Sequence, residues 1–126
     1  MPDTPLKIIK LDSCQCHNIK SKLDFTLDPD ERVGVALDLE NELPSGVTVA
    51  SVAHIITDLH DNTVVTGTIL ATERVYNNAN SIDVGAYAVL HNAVLGHIYK
   101  VEATITLSDV DAQVVQRVYC FQGKEK

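Results

Sequence analysis

The chain has 126 residues, with 17 Asp and Glu against 10 Lys and Arg and a formal net charge of −7. That length makes one domain able to bury a core unaided, and 45% hydrophobic with 21% charged residues is an ordinary globular composition. The acid excess, unrelieved by any Lys/Arg cluster, disfavours a phosphate backbone as partner, and no apolar run approaches the roughly 20 residues that cross a bilayer, so neither nucleic acid nor a membrane is expected to bind.

The opening residues, Met1-Pro-Asp-Thr-Pro-Leu-Lys-Ile-Ile-Lys10, lack the basic and long apolar regions of a signal peptide, which points to synthesis and use in a cytoplasm. Residues 1–22 form an N-terminal arm or extra strand, ahead of a sandwich domain over 23–126. Within the arm, Leu6, Ile8, Ile9 and Leu11 give apolar surface without an assigned partner. They are the candidates for contact outside their own sandwich, as a strand added to a neighbour's sheet edge or laid in a groove. The competing expectation is that the stretch pairs in cis as an eighth strand. The three cysteines, Cys14, Cys16 and Cys120, are an odd count with no secretory signal, which argues against a disulfide framework. Cys14-Gln-Cys16-His17 offers three donors in four residues and no second pair at zinc spacing, so no metal is expected there.

Further along, Leu23-Asp-Phe-Thr-Leu27 alternates as a first sandwich strand, and Asp28-Pro-Asp-Glu31 is turn chemistry without the spacing of a calcium loop. Val33, Val35, Leu37 and Leu39 alternate in a second strand. From Val47 to Leu59 the apolar residues occupy both frames, which implies a bulge or two buried faces. Asp58 to Asn62 is a hairpin turn, a strand follows through Val64 to Leu70, and 73–80 is a polar loop. Ser81–Leu90 carries Ile82, Val84, Ala86, Ala88 and Leu90 in register; Ser108–Ala112 is a hairpin and Gln113–Gln122 the last strand. About seven short strands separated by turn signals, with no convincing helical period, make an all-β sandwich of the immunoglobulin or fibronectin III kind.

The stretch that organises these strands runs from Leu90 to Ser108. Tyr99, Val101, Ala103, Ile105 and Leu107 fall on every second position, the period of a half-buried strand. Just before it, Gly96-x-x-Tyr99-x-Val101 has the layout of a tyrosine corner, in which a hydroxyl at the start of the sixth strand bonds back to the backbone upstream. Gly96, Tyr99 and Val101 are therefore structural residues.

The sequence contains no glycine-rich phosphate loop, no G-x-S-x-G elbow and no H-E-x-x-H, and no cofactor or catalytic residue is assigned. Four of the five histidines fall into two suggestive pairs, His91 with His97 and His54 with His60, each of which would be a solvated loop pair in the absence of a partner. With no Trp, and only Tyr76 and Tyr87 left over from structural duty, a sugar platform is thin.

Two blocks carry a resemblance. One is Asp28-Pro-Asp-Glu-Arg-Val-Gly-Val-Ala-Leu-Asp38 with Leu43, Gly46 and Val47 to Ile56. The other is Leu90-x5-Gly96-x2-Tyr99-x-Val101 continuing through Thr104-Ile-Thr-Leu-Ser-Asp109. Together they resemble tailed-bacteriophage and prophage virion proteins with an immunoglobulin-like fold, the fiber–tail adaptor proteins, over residues 25–122. The chain departs from that pattern in lacking a Trp in the second or third strand and in its longer loops at 58–62 and 72–80. The resemblance implies a non-enzymatic structural protein made in the host cytoplasm and located in the virion. It would be assembled in several copies and would join tail, neck, fiber or capsid proteins. The alternatives are a capsid decoration (cement) protein and, from another class, a fibronectin-like ligand- or sugar-binding module.

Overall fold

The computed structural model describes residues 7–11, by their backbone pairing, and residues 23–125. In chain order the elements are β1 (Lys7–Leu11), β2 (Phe25–Leu27), β3 (Val33–Asp38), β4 (Val49–Asp58), β5 (Thr63–Val64), α1 (Thr66–Ile69), β6 (Leu70–Asn77), β7 (Asp83–Leu90), β8 (Ile98–Leu107) and β9 (Val114–Gly123). They form a four-stranded sheet of order β1-β3-β7-β6 and a five-stranded sheet of order β2-β9-β8-β4-β5. The core lies between them. Val33, Val35 and Leu37 of β3 and Ala86, Ala88 and Leu90 of β7 face Ile56 of β4, Val101, Ala103 and Ile105 of β8, and Tyr119 and Phe121 of β9. Within the two sheets, β3-β7-β6 on one side and β9-β8-β4 on the other, with the crossover between β7 and β8, is the immunoglobulin-like arrangement.

β8 is built as its sequence dictates: every second residue from Tyr99 to Leu107 is buried and those between are partly exposed. β7 differs, because both its faces are covered. Ala36, Tyr87 and Val89 form a small cluster on the outer face of their sheet, with the Arg74 guanidinium 4.3 Å from the Tyr87 ring centroid. In β4 the double apolar frame resolves into a bulge. The register with β8 shifts between Val49 and Ser51, so the inward positions are Val49 and then Val52, His54, Ile56 and Asp58. The extra residue turns Ala53 and Ile55 outward, and with them one of the two frames seen in the sequence.

Three expectations change. The strand expected from Val64 to Leu70 is cut after Val64 by the single helical turn α1, where the Thr68 and Ile69 N–H groups donate to Val65 O. The polar loop expected from 73 is instead the continuation of β6 to Asn77, a strand at a sheet edge, whose unpaired side leaves room for the exposed Glu73 and Arg74. Cys120, buried at the outer side of β9, is disulfide-bonded, so the odd cysteine count did not preclude a bridge; Cys14 and Cys16 lie outside the described residues.

Of the arm, β1 pairs in parallel with β3 of its own chain, Lys7 opposite Val33 through Leu11 opposite Leu37. This is the cis, eighth-strand arrangement. Ile8, Ile9 and Leu11 lie within it, and Leu6 lies outside the described residues. The Asp28 turn forms as read: Asp28 Oδ1 accepts the Asp30 N–H at 2.8 Å and its carbonyl accepts the Glu31 N–H at 3.0 Å.

Candidate functional site at the corner of the sandwich

The crossover from β7 to β8 passes through Gly96 at φ +83°, a left-handed conformation that glycine adopts without a Cβ penalty. Three residues on, Tyr99 enters the core. Its ring stacks on Phe121 at 4.9 Å between centroids, and Phe121 stacks in turn on Phe25 at 5.1 Å. At the far end of the ring, the Tyr99 hydroxyl accepts the Val94 N–H at 2.9 Å. That bond, to the backbone five residues upstream, is the tyrosine corner. Val101, two residues further, is fully buried opposite Ile56 and Tyr119. Burial holds the Tyr99 hydroxyl above the usual tyrosine range, so it stays protonated and free to donate as well as accept.

A polar cluster sits against the corner. Asp58, at the last inward position of β4, is buried; its Oδ2 accepts from His97 Nδ1 at 2.7 Å and its Oδ1 accepts the His60 N–H at 2.9 Å. Because a carboxylate only accepts, His97 carries a proton on Nδ1. The His60 ring lies over the His97 ring, centroids 4.2 Å apart and planes 14° from parallel. A carboxylate behind an imidazole is the arrangement that orients a base or a metal ligand. The stack limits what it can do: stacked rings keep their in-plane nitrogen directions in separate, near-parallel planes, which is not the converging arrangement of two ligands on one ion. Among the described residues no group of three His, Cys, Asp or Glu is placed to hold a metal.

The remaining histidines regroup as well. His54 is not near His60 in function; it is inward-facing and buried, and pairs with Glu73 of β6. His91 does not meet His97, its ring lying 3.4 Å from the Asn92 side-chain amide. So both sequence pairs are exchanged for partners that sequence spacing could not show, Asp58 and Glu73. The one signal for Asp58 was its place in an apolar frame, legible only once the bulge is known.

No family model, curated protein or solved structure matches this chain.

The opposite end of the sandwich gathers the β3–β4, β6–β7 and β8–β9 connections. Ser108 Oγ accepts the Thr48 N–H at 2.9 Å, Asn78 Nδ2 donates to Glu40 Oε2 at 2.9 Å, and Arg117 pairs with Glu42. Those bonds fix the loops relative to one another, but they bring no nucleophile, base and acceptor together. As chemistry, the better-built of the two ends is the corner, and its residues hold structure.

Proposed function

We propose that this chain is a non-enzymatic structural subunit of a bacteriophage virion, a tail or neck adaptor that joins other virion proteins. The observation that carries the proposal is where the two resembling sequence blocks fall. The first supplies the Asp28 turn, β3 and the bulged β4; the second supplies the Gly96–Tyr99 corner and β8. The resemblance therefore rests on the framework-building parts of the sandwich and not on scattered surface residues. In the assembly role, β1 and β6 end one sheet and β2 and β5 the other, and such edges are where a neighbouring protein adds a strand.

Mass spectrometry and cryo-electron microscopy of particles made by cells that encode the chain test the proposal. An adaptor is present in a ring at tail or neck copy number. Density at every capsomer would mean a decoration protein instead. Absence from purified particles, with a soluble monomer that binds sugar or peptide, would overturn the virion assignment in favour of a ligand-binding module.

A further inference from the structure

Between Val52 and Ile56, the side of β4 turned away from β8 has no strand neighbour among the described residues; β5 covers only Thr57 and Asp58. The gap is closed by the segment leading from β5 into α1 and by one side chain from across the sandwich. Ile56 N–H donates to Thr66 Oγ1 at 2.9 Å, and Val65 N–H donates to Ile56 O at 2.8 Å. Further down, one oxygen of Glu73 on β6, Oε1, accepts both the His54 backbone N–H at 2.9 Å and its ring Nδ1–H at 2.8 Å. The imidazole is 1% exposed, against 36% for the Glu73 side chain. Its other nitrogen, Nε2, is buried with no hydrogen-bond partner among the described residues.

We infer that the His54–Glu73 pair is an acid-released latch that holds this edge of β4 shut. Neutral His54 fits the site: Nδ1–H goes to Glu73 and the bare Nε2 lone pair faces the interior. A second proton would put a charge and an N–H where nothing accepts them, and the direct relief is for the ring to swing out to water. Swinging out breaks the ring's bond to Glu73 Oε1, so the carboxylate keeps only the His54 backbone N–H and is held less firmly over it; that N–H is a donor a further strand would use.

The one counter-effect comes from Glu73 itself, whose carboxylate favours the second proton. Glu73 is the one charged group acting on the ring among the described residues. β8 sets Ala103 opposite it, and β7 offers Ala86, Ala88 and Leu90. Asp58 is further along the same face of β4 and is engaged by His60 and His97, while Arg74 is drawn over the Tyr87 ring on the outer face of its sheet. Burial, which outweighs the hydrogen bond and charge of Glu73, holds the imidazole below its ordinary proton affinity.

Amide hydrogen exchange by NMR, normalised to intrinsic rates, tests the latch. Below about pH 6.5 the protection of the His54 amide should fall, by up to about tenfold per pH unit for one proton. Amides in the β8–β9 ladder should keep theirs. His54→Asn offers Glu73 a donor that does not titrate, and its protection should stay flat over the same range. Glu73→Gln keeps an acceptor but removes the charge that favours the second proton, so its loss should extend to lower pH. If either variant fails to fold, the imidazole titration of the wild-type protein decides alone: His54 should titrate below the ordinary histidine value, in step with the loss of protection. Equal pH dependence in wild type and His54→Asn, a His54 titration at or above the ordinary value, or loss of the His54 amide only together with the β8–β9 ladder would each overturn it.

Discussion

At the residue scale the corner turns on one hydroxyl. Tyr99→Phe keeps the stack on Phe121 and deletes only the acceptor for the Val94 N–H. A bond of that kind contributes about 0.5–1.5 kcal/mol net, so urea melts should give the variant an unfolding free energy lower by that amount and an earlier midpoint; coincident midpoints would mean the hydroxyl does not pin the crossover. Two glycines give a sharper contrast. A Cβ at Gly85 would stand 1.7 Å from the Leu37 carbonyl oxygen, which is backbone in the neighbouring strand and cannot turn aside. A Cβ at Gly34 would meet the Tyr87 hydroxyl at 2.2 Å, a side-chain tip that can rotate away at the expense of its contacts. Overpacking costs about 1–3 kcal/mol; Gly85→Ala should lie at or beyond the top of that range and Gly34→Ala below it, as read by thermal melts of both.

At the scale of elements, β1 can be tested by removal. Deleting residues 1–12 strips the ladder from β3 and leaves Val33–Leu37 as an uncovered edge with both faces apolar. The truncated protein should melt at lower urea and self-associate with rising concentration in light scattering, since an exposed edge invites pairing. Unchanged stability with loss of a native oligomer would instead place the strand in trans. This is also the scale at which sequence and structure part. β8 was legible because its two faces see different solvents, and the corner because glycine, tyrosine and valine stand at fixed offsets. β6 was not: an edge strand with Glu73 and Arg74 exposed carries the polarity of a loop, and its partnership with β7 is non-local. The His97–Asp58 and His54–Glu73 pairs were out of reach for the same reason, since they join residues 39 and 19 positions apart that only the sandwich brings together. A bulge hid the rest, by moving the inward frame of β4 one residue along.

Over the whole molecule, the buried histidine links stability to pH. Burial lowers the proton affinity of His54 in the folded state relative to its ordinary value. The unfolded chain therefore binds the proton first as pH falls. The stabilisation is complete above about pH 6.5 and is lost on descending from there to the folded-state value, with a slope no steeper than about 1.4 kcal/mol per pH unit for this one group. Urea melts of wild type and His54→Asn on either side of that window should diverge by this share. Chelators, by contrast, should change nothing: the Asp28 turn spends its carboxylate on the Asp30 N–H, and the stacked His60 and His97 do not converge. A fall in melting temperature on adding EDTA would contradict that.

One feature of the five-stranded sheet bears on force. β2 runs parallel to β9, with the Asp24 N–H donating to Cys120 O at 2.9 Å, Cys120 N–H to Asp24 Oδ2 at 2.9 Å and Lys124 N–H to Leu27 O at 3.0 Å. Tension applied at Leu23 and leaving beyond Gly123 pulls two parallel strands in opposite directions along their own axes. The bonds are then loaded in shear and must break together, whereas a hairpin pulled from its open end peels one bond at a time. Rupture under load is governed by the rate of crossing that barrier and not by equilibrium stability. A sandwich of ordinary thermodynamic stability can therefore hold as a tether between two bodies, provided the tension runs from β2 to β9.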